Sequence, residues 1–356
     1  MRLHAHAMLA PALAVAIGAC GGEAAPGAGP AAPPSAPPGD AAPSECAAPA
    51  EAASGSLRIA VVPKGTTHEF WKAIHAGALK AELELSGVQT IWKGPQKEDD
   101  REQQINVVET FVNSDVDGIV LAPLDDVAMV GPIRNATAAG VGVVVMDSGV
   151  QAEPCADYVS FVATDNYVGG QKAARRLGEV LGGEGEVILL RYMVGQASTT
   201  AREQGFMSVL AEEFPDIQVV SDDQYAGTTT ESAYARAESL LNRFPGVDGI
   251  FCPNESSTFG MLLALQEVGR AGSVRFVGFD ASPKLLQAME AGEIDGLVVQ
   301  DPINMSYTAV KTLVAWLRGE AAPARIDTGS SVATRENMRE PRMRELLSPP
   351  LEKYLN

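Results

Sequence analysis

The chain has 356 residues, 27 Lys and Arg against 45 Asp and Glu, and a formal net charge of −18. That acidic balance argues against nucleic acid as a partner, since phosphate binding draws on an excess of Lys and Arg. Four Cys are too few for a disulfide scaffold, and no apolar run after residue 20 approaches the ~20 residues of a membrane-spanning helix.

Arg2 gives a positive start, and residues 7–19 form an apolar run interrupted only by Pro11 and Gly18. The run has the length of a signal-peptide core rather than of a bilayer span. It ends Ile17-Gly18-Ala19-Cys20, which resembles the bacterial lipoprotein signal. That resemblance implies a signal peptide over 1–20, lipidation of Cys20 and an anchor on the periplasmic side of a bacterial membrane, inner or outer. An ordinary cleaved signal with an incidental Cys is the alternative. Residues 21–56 carry 13 Ala, 8 Pro and 6 Gly and no Val, Ile, Leu, Met or aromatic, so they read as a disordered, semi-stiff tether. Arg2, Glu23, Asp40, Glu45 and Glu51 together contribute −3, which leaves −15 of the −18 on the remaining 300 residues.

From Leu57 the chain alternates short β-branched runs with helical periods. Strands are predicted at 57–63, 88–92, 118–122, 142–146 and 158–163, then at 186–191, 217–221, 249–252, 274–278 and 296–300. Most are continuous hydrophobic stretches, the pattern of parallel strands covered on both faces. Phe70, Ile74, Gly77 and Ala81, and likewise Ile105, Val108 and Val112, fall at helical spacing. Such alternation predicts doubly wound parallel α/β, and about 300 residues exceed one core, so two lobes are expected. An internal echo supports this. Val116-Asp117-Gly118-Ile119-Val120 is answered by Val247-Asp248-Gly249-Ile250-Phe251 and again by Ile294-Asp295-Gly296-Leu297-Val298. Each Asp-Gly reads as a turn that delivers the chain into a central strand.

In open α/β sheets ligands gather at the carboxyl ends of strands. Those ends hold Lys64 to Trp71, Asp125 and Asp126, Asp147 and Ser148, Asp165 and Asn166, Arg202, Asn254 and Glu255, Asp280, and Gln300 with Asp301. Each residue also has a plainer reading. Phe70 and Trp71 are adjacent on one helix and cannot both face the same sheet; Asp165 fits a helix N-cap; Arg202 has Glu203 and Asp222 as alternative partners. His68 and His75 lie two turns apart on one expected helix face, too far for a helical metal pair, so no metal is expected. Cys252 reads as a buried hydrophobe, and Cys46 with Cys155 is the remaining candidate disulfide. No nucleophile elbow, phosphate loop or dinucleotide fingerprint occurs, so neither an enzyme nor a cofactor is expected.

The order of motifs from Leu57 onward is similar to that of type I periplasmic binding proteins of the ribose/xylose class, the receiving subunits of sugar ABC importers. The matching stretches are Lys64 to Trp71, Val145-Met146-Asp147, Thr164-Asp165-Asn166 with Gly169-Gly170, Ala201-Arg202-Glu203-Gln204-Gly205-Phe206, Pro253-Asn254-Glu255, Val277-Gly278-Phe279-Asp280 and Val299-Gln300-Asp301-Pro302. The resemblance implies two similar doubly wound lobes on a three-strand hinge: 57–164 with 301–329, and 165–300 with 330–356. It implies that Phe70 and Trp71 stack on a sugar ring, and that Asp147, Arg202, Asn254, Asp280 and Gln300 bond its hydroxyls. Lys64, His68 and Asp165 complete the candidate ligand-binding set. Ser148 stands where many sugar binders have Arg, and His68 and Glu69 replace a small polar residue and Pro, so the particular sugar is left open. The implied partners are a small neutral sugar and an ABC permease, with a chemoreceptor or sensor kinase as the alternative; the protein itself is expected to be a monomer.

Overall fold

The computed structural model of the protein describes residues 44–355. The expected signal segment with Cys20, and residues 21–43 of the expected tether, lie outside the described residues. A short strand β1 (Glu45–Cys46) precedes β2 (Leu57–Val62), α1 (Glu69–Glu84), β3 (Val88–Trp92), α2 (Arg101–Val112), β4 (Gly118–Leu121), α3 (Val130–Ala138), β5 (Gly142–Met146) and β6 (Ser160–Ala163). The chain continues through α4 (Asn166–Leu181), β7 (Glu184–Leu189), α5 (Ala197–Glu213), β8 (Asp216–Ser221), α6 (Thr230–Arg243), β9 (Gly249–Phe251), α7 (Glu255–Glu267), β10 (Arg275–Phe279), α8 (Pro283–Ala291) and β11 (Gly296–Val299). It ends with α9 (Pro302–Leu317), β12 (Ala322–Pro323), β13 (Arg325–Asp327), β14 (Ser331–Ala333), α10 (Pro341–Leu347) and a 3₁₀ turn (Leu351–Lys353).

Two six-stranded sheets result, ordered β13-β6-β5-β4-β2-β3 and β14-β11-β10-β9-β7-β8. Position by position they repeat one topology. The difference is the last strand: β13 joins its sheet parallel, β14 antiparallel. Alternate strand residues feed two helix layers per sheet, which is why the strands read as unbroken apolar runs. In lobe one Ile59, Val61, Val120 and Val144 pack under α1 and α9, while Ala60, Val62, Ile119 and Val143 pack under α2 and α3. In lobe two Ile188, Ile250 and Phe276 face α6, α7, α8 and α10, and Leu189, Phe251 and Val277 face α4 and α5.

The recurring Asp-Gly turns have a shared job. Asp117 accepts the backbone N–H of Arg58, Asp248 that of Glu186 and Asp295 that of Phe276, at 2.7–2.9 Å. Each carboxylate thereby satisfies a donor near the start of the neighbouring strand and pins the turn to it. The chain passes from the first sheet to the second between β6 and α4, returns between β11 and α9, and passes again between β13 and β14. Helix α4 meets α5 at backbone contact. A Cβ on Gly170 would strike the Arg202 carbonyl, and one on Gly205 would strike that of Tyr167. This close approach fixes where α5 presents Arg202.

Residues 44–56, expected in the tether, lie on lobe one instead. Strand β1 pairs antiparallel with β12, Ala53 N–H donates to Leu317 O, and Trp316 Nε1–H donates to Ala47 O at 2.8 Å. Cys46 and Cys155, 109 residues apart, form a disulfide that clamps the segment. Backbone pairing and a covalent link supply the order that an Ala/Pro composition lacks. Cleaving so long a loop's crosslink is expected to cost about 2–4 kcal/mol, a fall of roughly 5–10 °C in Tm. Calorimetry with and without reductant reads this directly, since the other thiol among the described residues, Cys252, is buried; an unchanged Tm would mean the clamp adds no stability.

Candidate functional site

The carboxyl ends of the two sheets face each other across a narrow cleft lined by Lys64, Phe70, Glu98 and Asp147 from one lobe and by Tyr192, Gln196, Arg202, Glu255 and Asp280 from the other. Asp147 follows β5 and Asp280 follows β10, topologically equivalent strands, and both adopt left-handed backbone, with φ of 64° and 66°. Such a conformation costs a non-glycine residue about 1 kcal/mol, and Asp is among the residues that tolerate it. It turns both carboxylates back over the strand ends into the cleft.

Arg202 is completely enclosed. Its Nε donates to Asn166 Oδ1 at 2.8 Å and its Nη1 to Pro253 O at 2.9 Å. The guanidinium carbon lies 3.8 Å over the Phe279 ring, and Nη1 sits 3.8 Å from Asp280 Oδ2. Burial pushes the Arg202 guanidinium down from its ordinary value while Asp280 and Asp147 oppose the shift. Burial likewise raises the Asp280 carboxyl against the pull of Arg202 and of Gln300, whose Nε2 donates to Asp280 Oδ1 at 2.7 Å. Lys64 Nζ lies 2.7 Å from Asp147 Oδ2, close enough for an ion pair though not aligned as a hydrogen bond. Gln196 Oε1 and Gln300 Oε1 are buried acceptors with no hydrogen-bond donor among the described residues.

Glu98 is the hub of the cleft. Its Oε1 accepts from Trp71 Nε1 at 2.7 Å and pairs with His68 Nδ1 at 2.8 Å; its Oε2 accepts from Tyr192 OH at 3.0 Å. Burial alone would raise this carboxyl, but His68, Lys64 and Trp71 outweigh it and hold the value at about 2. Burial also disfavours charge on His68, yet Glu98, with Glu255 and Asp280 behind it, lifts the imidazole to about 9. Both groups are therefore ionised at neutral pH. Glu255 adds a latch. His68 stands at the N-cap of α1 without a side-chain cap, and Glu255, at the start of α7 in the other lobe, accepts the Glu69 and Phe70 N–H groups at 3.3 and 3.1 Å. Burial raises the Glu255 carboxyl to about 7 even so. Lys64 Nζ to Ser198 Oγ at 3.0 Å, and Ser198 N–H to Ser148 Oγ at 3.1 Å, tie the lobes further. The cleft is closed.

The sequence-predicted residues divide by position. Lys64, His68, Phe70, Trp71, Asp147, Arg202, Asn254, Asp280 and Gln300 all reach the cleft wall. Asp165 does not. It caps α4, accepting Val168 N–H, and its own N–H donates to Asp327 at the crossing point between the lobes. Trp71 turns into the lobe-one core, 3% exposed, and is used by Glu98, so Phe70, edge-on to it at 5.0 Å, is the ring that faces the opening. Asn254 caps α7 through Oδ1, leaving only its amide nitrogen near the cleft. His68 and His75 do not share a face, because His68 precedes the helix and His75 stacks on Trp92. No cluster of three metal-ligating side chains occurs among the described residues. Glu98, Tyr192, Gln196 and Ser198 escaped the sequence reading. Glu98 sits at a strand-end loop, the signal that found the others, but hides there among Lys97, Asp99 and Asp100.

Comparison with known proteins finds relatives over most of the chain. The family described as periplasmic binding protein domain matches residues 59–321. The D-allose-binding periplasmic protein of Escherichia coli (strain K12) is 29% identical over 267 residues, spanning 74% of this chain and 85% of that protein. Among solved structures, a carbohydrate transporter solute binding protein from Agrobacterium radiobacter, in complex with D-arabinose, gives a TM-score of 0.79 at 31% identity over 83% of this chain and 100% of that one. An ABC transporter solute binding protein from Agrobacterium vitis with bound D-fucose gives the same score and identity over 82% and 99%.

Proposed function

Since the chain belongs to the type I periplasmic sugar-binding proteins of the periplasmic binding protein domain family, we propose that its cleft captures a small neutral sugar and delivers it to the permease of an ABC importer. Proteins of this family bind and hand over solutes; they are not enzymes. The observation that carries the ligand class is the pair of unmatched buried acceptors, Gln196 Oε1 and Gln300 Oε1, around one enclosed guanidinium. Each such acceptor left empty costs roughly 1–3 kcal/mol, and sugar hydroxyls supply donors. Neutrality follows from the charges. Lys64 faces Asp147, Arg202 faces Asp280 and His68 faces Glu98, so an ionic ligand would find its counter-charge already occupied. Phe70 offers the apolar face that a sugar ring stacks on. The sugars named for the relatives, D-allose, D-arabinose and D-fucose, are all neutral monosaccharides.

The protein works as a monomer, held at the membrane by lipid on Cys20, with the two lobes closing over the sugar about the three crossing segments. A thermal-shift screen across pentoses, hexoses and their deoxy forms tests the ligand class. Saturation at about a thousand times Kd adds roughly 4 kcal/mol, and a clear rise in Tm with at least one neutral sugar is expected. Stabilisation by none of them would overturn the proposal.

A further inference from the structure

Helix α1 borrows its cap from the other lobe. Asp100, Asp165, Asn254 and Asp301 each accept an N–H of the helix they precede. His68, at the N-cap of α1, makes no such bond, although the first N–H groups of any helix lack an intrahelical acceptor. The missing acceptor is the Glu255 carboxylate, which stands at the start of α7 in lobe two. Its Oε1 takes the Glu69 N–H at 3.3 Å and its Oε2 the Phe70 N–H at 3.1 Å. Among the described residues neither N–H has another acceptor.

Such a cap exists only while the lobes are together. A carboxylate on a helix N-terminus gains from its hydrogen bonds and from the helix dipole, and parting the lobes returns both N–H groups to water. The turn it caps carries Phe70, the ring that faces the opening. Other bonds across the cleft, Lys64 to Ser198 and Tyr192 to Glu98, join side chains that all line the polar compartment. Glu69 is no part of that lining, so the Glu255 contact reaches beyond the groups that meet a ligand. Resting on the sugar-capture reading above, we propose that Glu255 is a positioning residue: by capping α1 across the cleft it latches the closed lobes and seats Phe70, and so sets how long a captured sugar stays bound.

Stopped-flow fluorescence of the purified protein with D-arabinose, D-fucose and D-allose separates the two rates. A bond made only after encounter acts on dissociation, so Glu255→Ala is expected to raise koff about tenfold and to move kon by less than about twofold. Glu255→Gln, which keeps one acceptor, is expected to fall between. The N–H side supplies a test that alters neither Glu255 nor the polar compartment. Glu69→Pro removes one of the two donors; Pro suits the first position of a helix, and His68, with φ −82° and ψ 151°, already has the extended backbone that a following Pro demands. Glu69→Ala loses the same exposed contact with Lys72 but keeps the N–H. The koff of Glu69→Pro is expected to exceed that of Glu69→Ala by about threefold or more, the worth of one hydrogen bond, and the difference is expected to vanish when Glu255→Ala is present in both. If sugar binds and koff is unchanged in Glu255→Ala, or equal in the two Glu69 variants, or still different between them without Glu255, the latch is wrong while sugar capture stands. If no neutral sugar binds the wild type, sugar capture fails and the latch falls with it.

Discussion

Arg202→Ala is expected to abolish sugar binding and to destabilise the protein by about 3–5 kcal/mol, the cost of removing one partner from a buried charged cluster. The residue is 3% exposed, and four groups depend on it: Asn166 Oδ1, Pro253 O, Asp280 and the face of Phe279. With the guanidinium gone, Asp280 keeps the Gln300 amide and the Glu255 backbone N–H, and two other acceptors lose their donor. The Asp280 carboxyl, already raised by burial, loses the positive charge that pulls it back down, so the mutant's cleft loses the fork and leaves this carboxylate poorly compensated. Affinity is expected to fall about a hundredfold or more. Arg202→Lys is expected to recover little of it, since an ammonium cannot reach Asn166 and Pro253 in the planar geometry of the fork. Urea denaturation and titration of the same preparations separate the two effects. Near-wild-type affinity in a folded Arg202→Ala protein would remove Arg202 from the site.

Glu98→Ala is expected to cost a few kcal/mol as well, because it unpairs His68 and the Trp71 and Tyr192 donors in a closed interface. Its signature is a change in pH dependence. Glu98 is held near 2 against an ordinary 4.5, so its stabilisation is complete above 4.5 and is lost as pH falls toward 2. His68 is raised from 6.5 to about 9, so its share is complete below 6.5 and is lost as pH rises toward 9. Glu255, raised from 4.5 to about 7, holds a proton more tightly when folded, and its contribution also declines as pH rises through that window. All three give the wild type a stability maximum in mildly acidic solution and a decline toward alkaline pH. Without Glu98 the alkaline part of that decline shrinks, since His68 has lost the partner that raised it. Melting curves from about pH 4 to pH 9 on both proteins check this. Parallel pH profiles would show that the His68–Glu98 pair carries no such linkage.

Much of the fold is legible in the chain because its strands are buried on both faces. Runs such as Val143-Val144-Val145-Met146 leave no doubt about a covered parallel strand, and the Asp-Gly echoes at 117 and 248 mark the entry to equivalent strands of two lobes, with that at 295 leading into β11. Site residues that end a strand, Lys64, Asp147, Asp280 and Gln300, were likewise within reach, since topology alone delivers strand ends to the cleft. What one-dimensional reasoning misses is where side chains meet across lobes. Glu98 and Tyr192 are 94 positions apart, and nothing in either segment announces the other. Asp165 shows the converse: a strand-end carboxylate spent on a helix cap looks the same in sequence as one spent on a ligand. Trp71 and Phe70 are adjacent in sequence, yet the indole N–H is drawn inward by Glu98, a choice made by a residue 27 positions on. Residues 44–56 were misjudged for a related reason, since composition cannot register a disulfide or the edge strand it aligns.

The central claim is that one polar cleft between two lobes captures a neutral sugar. Isothermal titration of the wild-type protein with the sugar that stabilises it most, repeated on Arg202→Ala, tests this most directly. The account predicts a single site per chain with a Kd of about a micromolar or tighter, some −8 kcal/mol, and no measurable binding in the variant. Absence of saturable binding to any neutral sugar, or binding that Arg202→Ala leaves intact, would contradict it.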